Sequence, residues 1–160
     1  RRFTVSATFR YTDAKVELEG RGLVERPMTS RYKGVLNLQY ATNLNKWIFD
    51  FTASVNGKSR VYEFMKGLRG EDGELLYKDG YTPVYPLLYL QVTKRFKGVD
   101  LYLGAENLTN FRQKNVVIGT AIEGMSGHVD ASRPDFDASA VWGPIMGTKF
   151  YLGARFTLWK

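Results

Sequence analysis

The chain has 160 residues, contains no cysteine and carries a formal charge of +7. Without cysteine, disulfides, thiol chemistry and Cys-based metal sites are excluded, and no apolar run is long enough to form a transmembrane helix. Lysine and arginine are scattered among strand ends and loops, with no basic helix and no RNA-binding signature, so the charge does not indicate nucleic acid. The length favours one domain. The negative mean hydropathy is compatible with a membrane barrel, whose lipid-facing and lumen-facing residues alternate and average out.

Residues 2–11 alternate without a slip, with Phe3, Val5, Ala7, Phe9 and Tyr11 set against Arg2, Thr4, Ser6, Thr8 and Arg10. Period-two alternation predicts a β-strand. The chain opens directly on this strand with no signal peptide, so an exported protein is expected to have further sequence upstream of Arg1. Residues 12–30, rich in glycine and glutamate and containing Pro27, read as a long loop or a flared strand extension. A second strand is expected near 31–41, with Tyr32, Leu36, Leu38 and Tyr40 on one face and Lys33, Asn37 and Gln39 on the other. After the turn Thr42-Asn43-Leu44-Asn45, a third near 46–56 places Trp47, Phe49, Phe51, Ala53 and Val55 opposite Asp50, Thr52, Ser54 and Asn56. The two make a hairpin.

A charged second loop follows over 57–82, with Gly70-Glu71-Asp72-Gly73 as its tip. Pro83 and Pro86 open a fourth strand near 84–96, where a missing N–H is tolerated. Leu88, Leu90, Val92 and Phe96 face one way, and Tyr89, Gln91, Thr93 and Arg95 the other. Lys97-Gly98 is a tight turn into a fifth strand near 99–107, where Val99, Leu101, Leu103 and Ala105 oppose Asp100, Tyr102, Gly104 and Glu106. The third and longest loop spans about 108–147. The sixth strand, near 148–159, sets Phe150, Leu152, Ala154, Phe156 and Leu158 against Lys149, Tyr151, Gly153, Arg155, Thr157 and Trp159.

Loops therefore alternate long, short, long, short, long. Outer-membrane barrels combine short periplasmic turns with long external loops, and a long apolar C-terminal edge strand in water would template aggregation. Aromatic residues also gather near strand ends: Phe3, Tyr40, Trp47, Phe96 and Trp159 on the turn side, Tyr11, Tyr32 and Tyr85 on the loop side. That is the pattern of interfacial girdles. About six strands fall short of the roughly eight at which single-chain barrels begin. Closure thus requires more protein, either a larger barrel or further protomers.

The motif Tyr151-x-Gly153-x-x-Phe156-x-Leu158 resembles the terminal-strand signal read by the outer-membrane barrel assembly machinery. Together with Leu103-Gly104-Ala105-Glu106-Asn107-Leu108-Thr109-Asn110 and Phe136-Asp137-Ala138-Ser139 … Val141-Trp142-Gly143-Pro144, it makes the whole chain resemble the C-terminal barrel end of a TonB-dependent outer-membrane receptor of the Bacteroidetes type. The resemblance implies an all-β fold: an antiparallel transmembrane segment of about six strands belonging to a barrel of about 22 strands with a plug. It implies both termini on the periplasmic side, and active uptake of a siderophore, haem, cobalamin or glycan. Implied partners are the rest of the barrel and its plug, outer-membrane lipid, TonB through the plug, the assembly machinery and a surface lipoprotein. No counterpart of the plug is found in residues 1–160.

No cofactor, metal or catalytic centre is expected. His128 is the sole histidine and has no serine motif beside it; it would be the key residue if the chain were instead an outer-membrane barrel enzyme. Glu123, Asp130, Asp135 and Asp137 fit no EF-hand spacing and read as a solvated acidic loop, as do Glu71, Asp72 and Glu74. Asn107-Leu108-Thr109 is formally a sequon. Asp50, Arg95, Asp100, Glu106 and Arg155 are expected on the lumen or plug side, where they must pair with one another, with water or with a plug. Loop candidates for ligand contact are Tyr62, Phe64, Tyr77, Tyr81, Arg112, Gln113 and Trp142, with loop packing as the competing role. A soluble all-β binding module, a sandwich or lipocalin-like barrel, is the alternative fold and function; it predicts that the apolar sides meet across a dry interior.

Overall fold

The computed structural model describes residues 2–18, 20, 22–69, 73–113 and 141–158. Its main element is one antiparallel sheet of six strands: β1 (Phe3–Tyr11), β4 (Tyr32–Ala41), β5 (Trp47–Asn56), β6 (Tyr85–Phe96), β7 (Val99–Glu106) and β8 (Lys149–Phe156), in the order β1-β4-β5-β6-β7-β8. β2 (Lys15–Leu18) and β3 (Gly22–Glu25) form a separate hairpin inside the first long connection. The described residues between 12 and 30 thus form a flared extension, joined to the main sheet where the Thr12 N–H donates to Arg31 O at 2.7 Å. The last strand ends at Phe156, although the Thr157 N–H still donates to Gly98 O at 2.9 Å; Trp159 lies outside the described residues.

Register carries the alternation of each strand across the whole sheet. Phe3, Tyr40, Phe49, Val92, Leu103 and Leu152 stand side by side in one row, and Val5, Leu38, Phe51, Leu90, Ala105 and Phe150 in the next. The opposite face presents rows such as Thr4, Gln39, Asp50, Gln91, Gly104 and Tyr151. A slip of one residue in any strand would reverse its faces, so the sequence specifies this register strongly.

The apolar face is bare. Phe9 is 71% exposed, Phe150 76% and Leu152 80%, and among the described residues neither a second sheet nor a helix packs upon it. β1 and β8 are the outer strands and do not pair with each other, so among the described residues the sheet is open, with two unpaired edges. The buried hydrophobic cluster, Val61, Met65 and Tyr77, lies instead in the 57–84 connection, braced by Met28, Tyr62, Leu68, Leu76 and Trp142. No helix among the described residues is long and apolar enough to cross a membrane, which leaves open a crossing by strands.

The two ends of the sheet differ. At one end β4–β5 and β6–β7 close through short turns, the first through a 3-10 turn at Asn43–Asn45 in which Leu44 has φ 57°, the second through Gly98 at φ 79°. The three long connections leave from the other end. Of the aromatic residues expected at interfaces, Phe3, Tyr40, Trp47 and Phe96 lie on the apolar face near the short turns, and Tyr11 and Tyr32 on the same face near the loops. Tyr85 does not. It pairs with Asn56, points to the polar side and is buried against Phe111 and Trp142.

On the polar face of β7 and β8 two tyrosines cover two glycines. Gly104 pairs with Tyr151, and Gly153 with Tyr102. A Cβ added at either glycine would collide with the facing tyrosine ring, while the two rings meet edge-on at 6.3 Å. The Tyr151 hydroxyl donates to Gln91 Oε1 at 3.0 Å, extending the contact to β6. Glycine's missing side chain is thus filled by the ring across the ladder. Gly104→Val should lower the unfolding free energy by about 1–3 kcal/mol through overpacking. Gly34→Val, where a Cβ meets nothing within 4 Å, should be close to neutral; denaturant midpoints of the two variants make the comparison.

Candidate functional site

The long connections fold over the loop end of the polar face, where the row Arg10, Lys33, Asn56 and Tyr85 runs across β1, β4, β5 and β6. Tyr85 stacks on Phe111 at 4.6 Å with the rings nearly parallel, and the Trp142 indole tilts against both. Trp142 Nε1 donates to the Tyr77 hydroxyl at 2.8 Å, tying this aromatic group to the Val61–Met65 cluster. Against these rings lies a small recess of about 140 Å³, walled by Leu76, Tyr77, Pro83, Phe111, Arg112 and Trp142, and larger ones open to the polar side. One, about 250 Å³, is lined by Arg10, Ser30, Asn56, Ser59, Thr82, Tyr85 and Trp142 among others. A second, about 400 Å³, lies between the 141–146 segment and the upper ends of β6–β8, with Leu87, Tyr89, Glu106, Ile145 and Lys149 in its walls.

Four of the seven loop candidates, Tyr62, Tyr77, Gln113 and Trp142, come together, and their role in the described structure is to hold the loops to one another. Tyr77 and Gln113 are buried. Gln113 Oε1 accepts from the Trp142 and Gly143 N–H groups at 2.9 and 3.2 Å, and its own N–H donates to Pro144 O. Tyr62 packs on the loop core. Tyr81 lies elsewhere, its hydroxyl donating to Glu25 Oε2 at 2.7 Å. Arg112 is exposed and donates to Asn110 Oδ1; the Phe64 side chain lies outside the described residues. Of this set, Tyr77, Arg112 and Trp142 line the 140 Å³ recess, Trp142 also lines the 250 Å³ one, and none lines the 400 Å³ one.

All five charges expected on one side share the polar face. Arg95 Nε lies 3.4 Å from Asp100 Oδ2, and Glu106 Oε2 lies 3.0 Å from Lys149 Nζ. Asp50 Oδ1 accepts from Gln39 Nε2 at 2.6 Å, and Arg155 stands opposite Asp100 in the ladder. In the terminal motif, Tyr151 and Gly153 belong to the polar face, whereas Phe156 and Leu158 project exposed from the end of the chain.

Two organising residues escaped the sequence reading. Asn107, buried at φ 52°, uses its whole amide: Oδ1 accepts from Thr109 Oγ1 and the Phe111 N–H, and Nδ2 donates to Phe111 O and Met146 O. Asparagine tolerates the left-handed region and bonds its own backbone, so the Asn107-x-x-Asn110 spacing, with both residues at positive φ, was the available signal. Glu25 binds Arg31 Nε at 2.6 Å and Tyr81, while its carbonyl accepts from Arg60. It ties the first long connection to the second with no local pattern to announce it. Glu74 pairs with Lys78 at 2.8 Å on the surface. Glu71, Asp72, Glu123, His128, Asp130, Asp135, Phe136, Asp137, Ala138 and Ser139 lie outside the described residues.

Hydroxyls, amides and aromatic surface around a recess suit a polar solute, and no group of three metal-ligating side chains occurs among the described residues. Compared with known protein families, curated proteins and solved structures, the chain matches none.

Two outcomes are expected of the loop cluster. Asn107→Ala should cost about 1–3 kcal/mol, because the backbone partners it leaves behind are unsatisfied; the denaturant midpoint reads this. Alkali should loosen the loops. The Tyr81 phenol pKa is raised above its ordinary 10.0 first by its hydrogen bond to Glu25, and that of Tyr77 by burial, partly opposed by the Trp142 N–H. A raised acid pKa means that stability is fully present below pH 10.0 and is lost as pH rises through the folded values. Limited proteolysis of the loops across that range should accelerate, and less so in the Tyr81→Phe, Tyr77→Phe double variant.

Proposed function

We propose that the chain is the C-terminal barrel portion of a TonB-dependent receptor in a bacterial outer membrane, taking up a nutrient too large for porins. One observation carries the reading: an apolar face running across six strands that none of the described residues covers. In water such a face calls for a covering layer. A sandwich or lipocalin-like module would supply one, and none is found among the described residues. Hydrocarbon supplies the alternative, provided every backbone edge is closed.

The two unpaired edges then join β1 and β8 to neighbouring strands of a larger cylinder, of about 22 strands for a receptor of this kind. Short turns face the periplasm, so both ends of this segment do too, and the three long connections face outward. The polar face lines the lumen. Its Arg95–Asp100 and Glu106–Lys149 pairs reduce the cost of charge inside the wall, and the recesses beneath the loops take part in holding solute. Tyr151, Gly153, Phe156 and Leu158 serve as the assembly signal. Uptake requires a plug and TonB, with no covalent step in this portion. Siderophore, haem, cobalamin and glycan all remain within the class.

The full-length polypeptide should sediment with outer membranes, require detergent for extraction and run faster on gels before boiling than after. Release into buffer without detergent would contradict the proposal. Leu152→Arg, on the apolar face in a middle row, should cost about 2–4 kcal/mol if the residue lies near the bilayer centre, measured by unfolding in lipid.

A further inference from the structure

The apolar face carries a single charged side chain among its described strand positions. Lys94 occupies the row Trp47, Lys94, Leu101 and Ala154, one row above Phe96, Val99 and Phe156. Every other position of that face on β5, β6 and β7 is aromatic, aliphatic or proline. Lys94 does not escape to water around the strand. Its Nζ sits 4.1 Å from the centroid of the Trp47 ring and 5.8 Å from that of Phe96, and no carboxylate of the described residues forms an ion pair with it.

An ammonium held against two rings on an otherwise apolar surface is a cation with three hydrogen-bond donors, a match for an anion set against that surface. The short-turn end is basic: Lys46 and Lys97 lie in the adjoining turns and Arg2 just before β1, while Arg95 and Arg155 stand beside Asp100 on the opposite, polar face. A lysine near the bilayer midplane is expensive, whereas near an interface its stem follows the apolar surface and its head reaches the polar layer. Aromatic rings and basic side chains at that depth match the two halves of a phospholipid, glycerol ester and phosphate.

We propose that Lys94, seated on Trp47 and Phe96 and flanked by Lys46 and Lys97 in the adjoining turns, is a binding site for the phosphate of an anionic phospholipid in the leaflet at the short-turn end. The site rests on the barrel reading, since it needs lipid against the apolar face. It adds a chemical preference that burial of apolar surface alone does not give: the headgroup must carry net negative charge. Phosphatidylglycerol fits, and the zwitterionic phosphatidylcholine fits less well.

Native mass spectrometry of delipidated full-length protein in detergent, titrated with phosphatidylglycerol or phosphatidylcholine, tests this. The wild type should retain phosphatidylglycerol preferentially. Lys94→Met, which keeps the stem and loses the charge, should weaken retention about fivefold, the worth of one basic residue at a charged surface. Lys94→Arg should restore it, and glycerol phosphate in the buffer should not compete. Equal retention of the two lipids, no effect of Lys94→Met, or full competition by glycerol phosphate would each overturn the site while leaving the barrel intact. A protein that stays soluble without detergent would overturn the barrel reading and the site with it. Unheated gel mobility confirms that each variant has folded.

Discussion

Everything in this molecule turns on what wets one side of a sheet. Burying a large aliphatic or aromatic side chain is worth roughly 1.5–3 kcal/mol, and here Phe9, Phe150 and Leu152 remain more than two-thirds exposed beside Val5, Leu103 and Phe156. The chain nonetheless packs a core, and packs it on the opposite side, where Val61, Met65 and Tyr77 cluster in the loops. A sequence able to order an irregular loop core has not run short of apolar residues. It has kept the most regular of them on a surface that no other part of the described chain covers.

The polar side follows from the same division. Side chains there bond one another in short cross-strand links within the sheet: Asn37 to Thr52 at 2.8 Å, Gln39 to Asp50, Tyr151 to Gln91. Where a strand carries glycine, a tyrosine from its neighbour lies over the gap. The loops then stack aromatic rings on the end of this face, so the recesses open on the polar side of the sheet. On the barrel reading, that is the side a solute traverses.

Much of the sheet was legible in the residues, because alternation is a local code that pairing simply repeats. Phe3 to Tyr11 and Val99 to Glu106 could be read off in twos, and the register then had one way to keep every apolar side chain together. The same parity would have put Tyr85 beside Tyr89 and Gln91, on the polar face; grouping it with interfacial aromatics by position along the strand ignored its direction. Loops were less transparent. Val61, Met65 and Tyr77 are separated by irregular backbone with no period to detect, and Glu25 meets Tyr81 across 56 positions of sequence. Of the ligand candidates, Tyr77 and Trp142 bind each other, which is the loop packing that competed with a ligand role. Asn107 announced itself only through turn chemistry that was not used.

Residues 1–160 contain no cysteine, so a single cysteine introduced here, with any cysteine elsewhere in the full-length protein replaced, can be spin-labelled without background and makes the central claim directly accessible. Nitroxides placed one at a time at Phe150, Leu152 and Ala154, and at Tyr151, Gly153 and Arg155, in the full-length protein in lipid bilayers, would report exposure to oxygen and to a water-soluble nickel chelate. The account predicts strict alternation, with oxygen reaching the even positions and the chelate largely excluded from them. High chelate exposure at all six positions, or shielding of the even ones from both reagents, would mean that water or protein occupies the apolar side, and the account would be wrong.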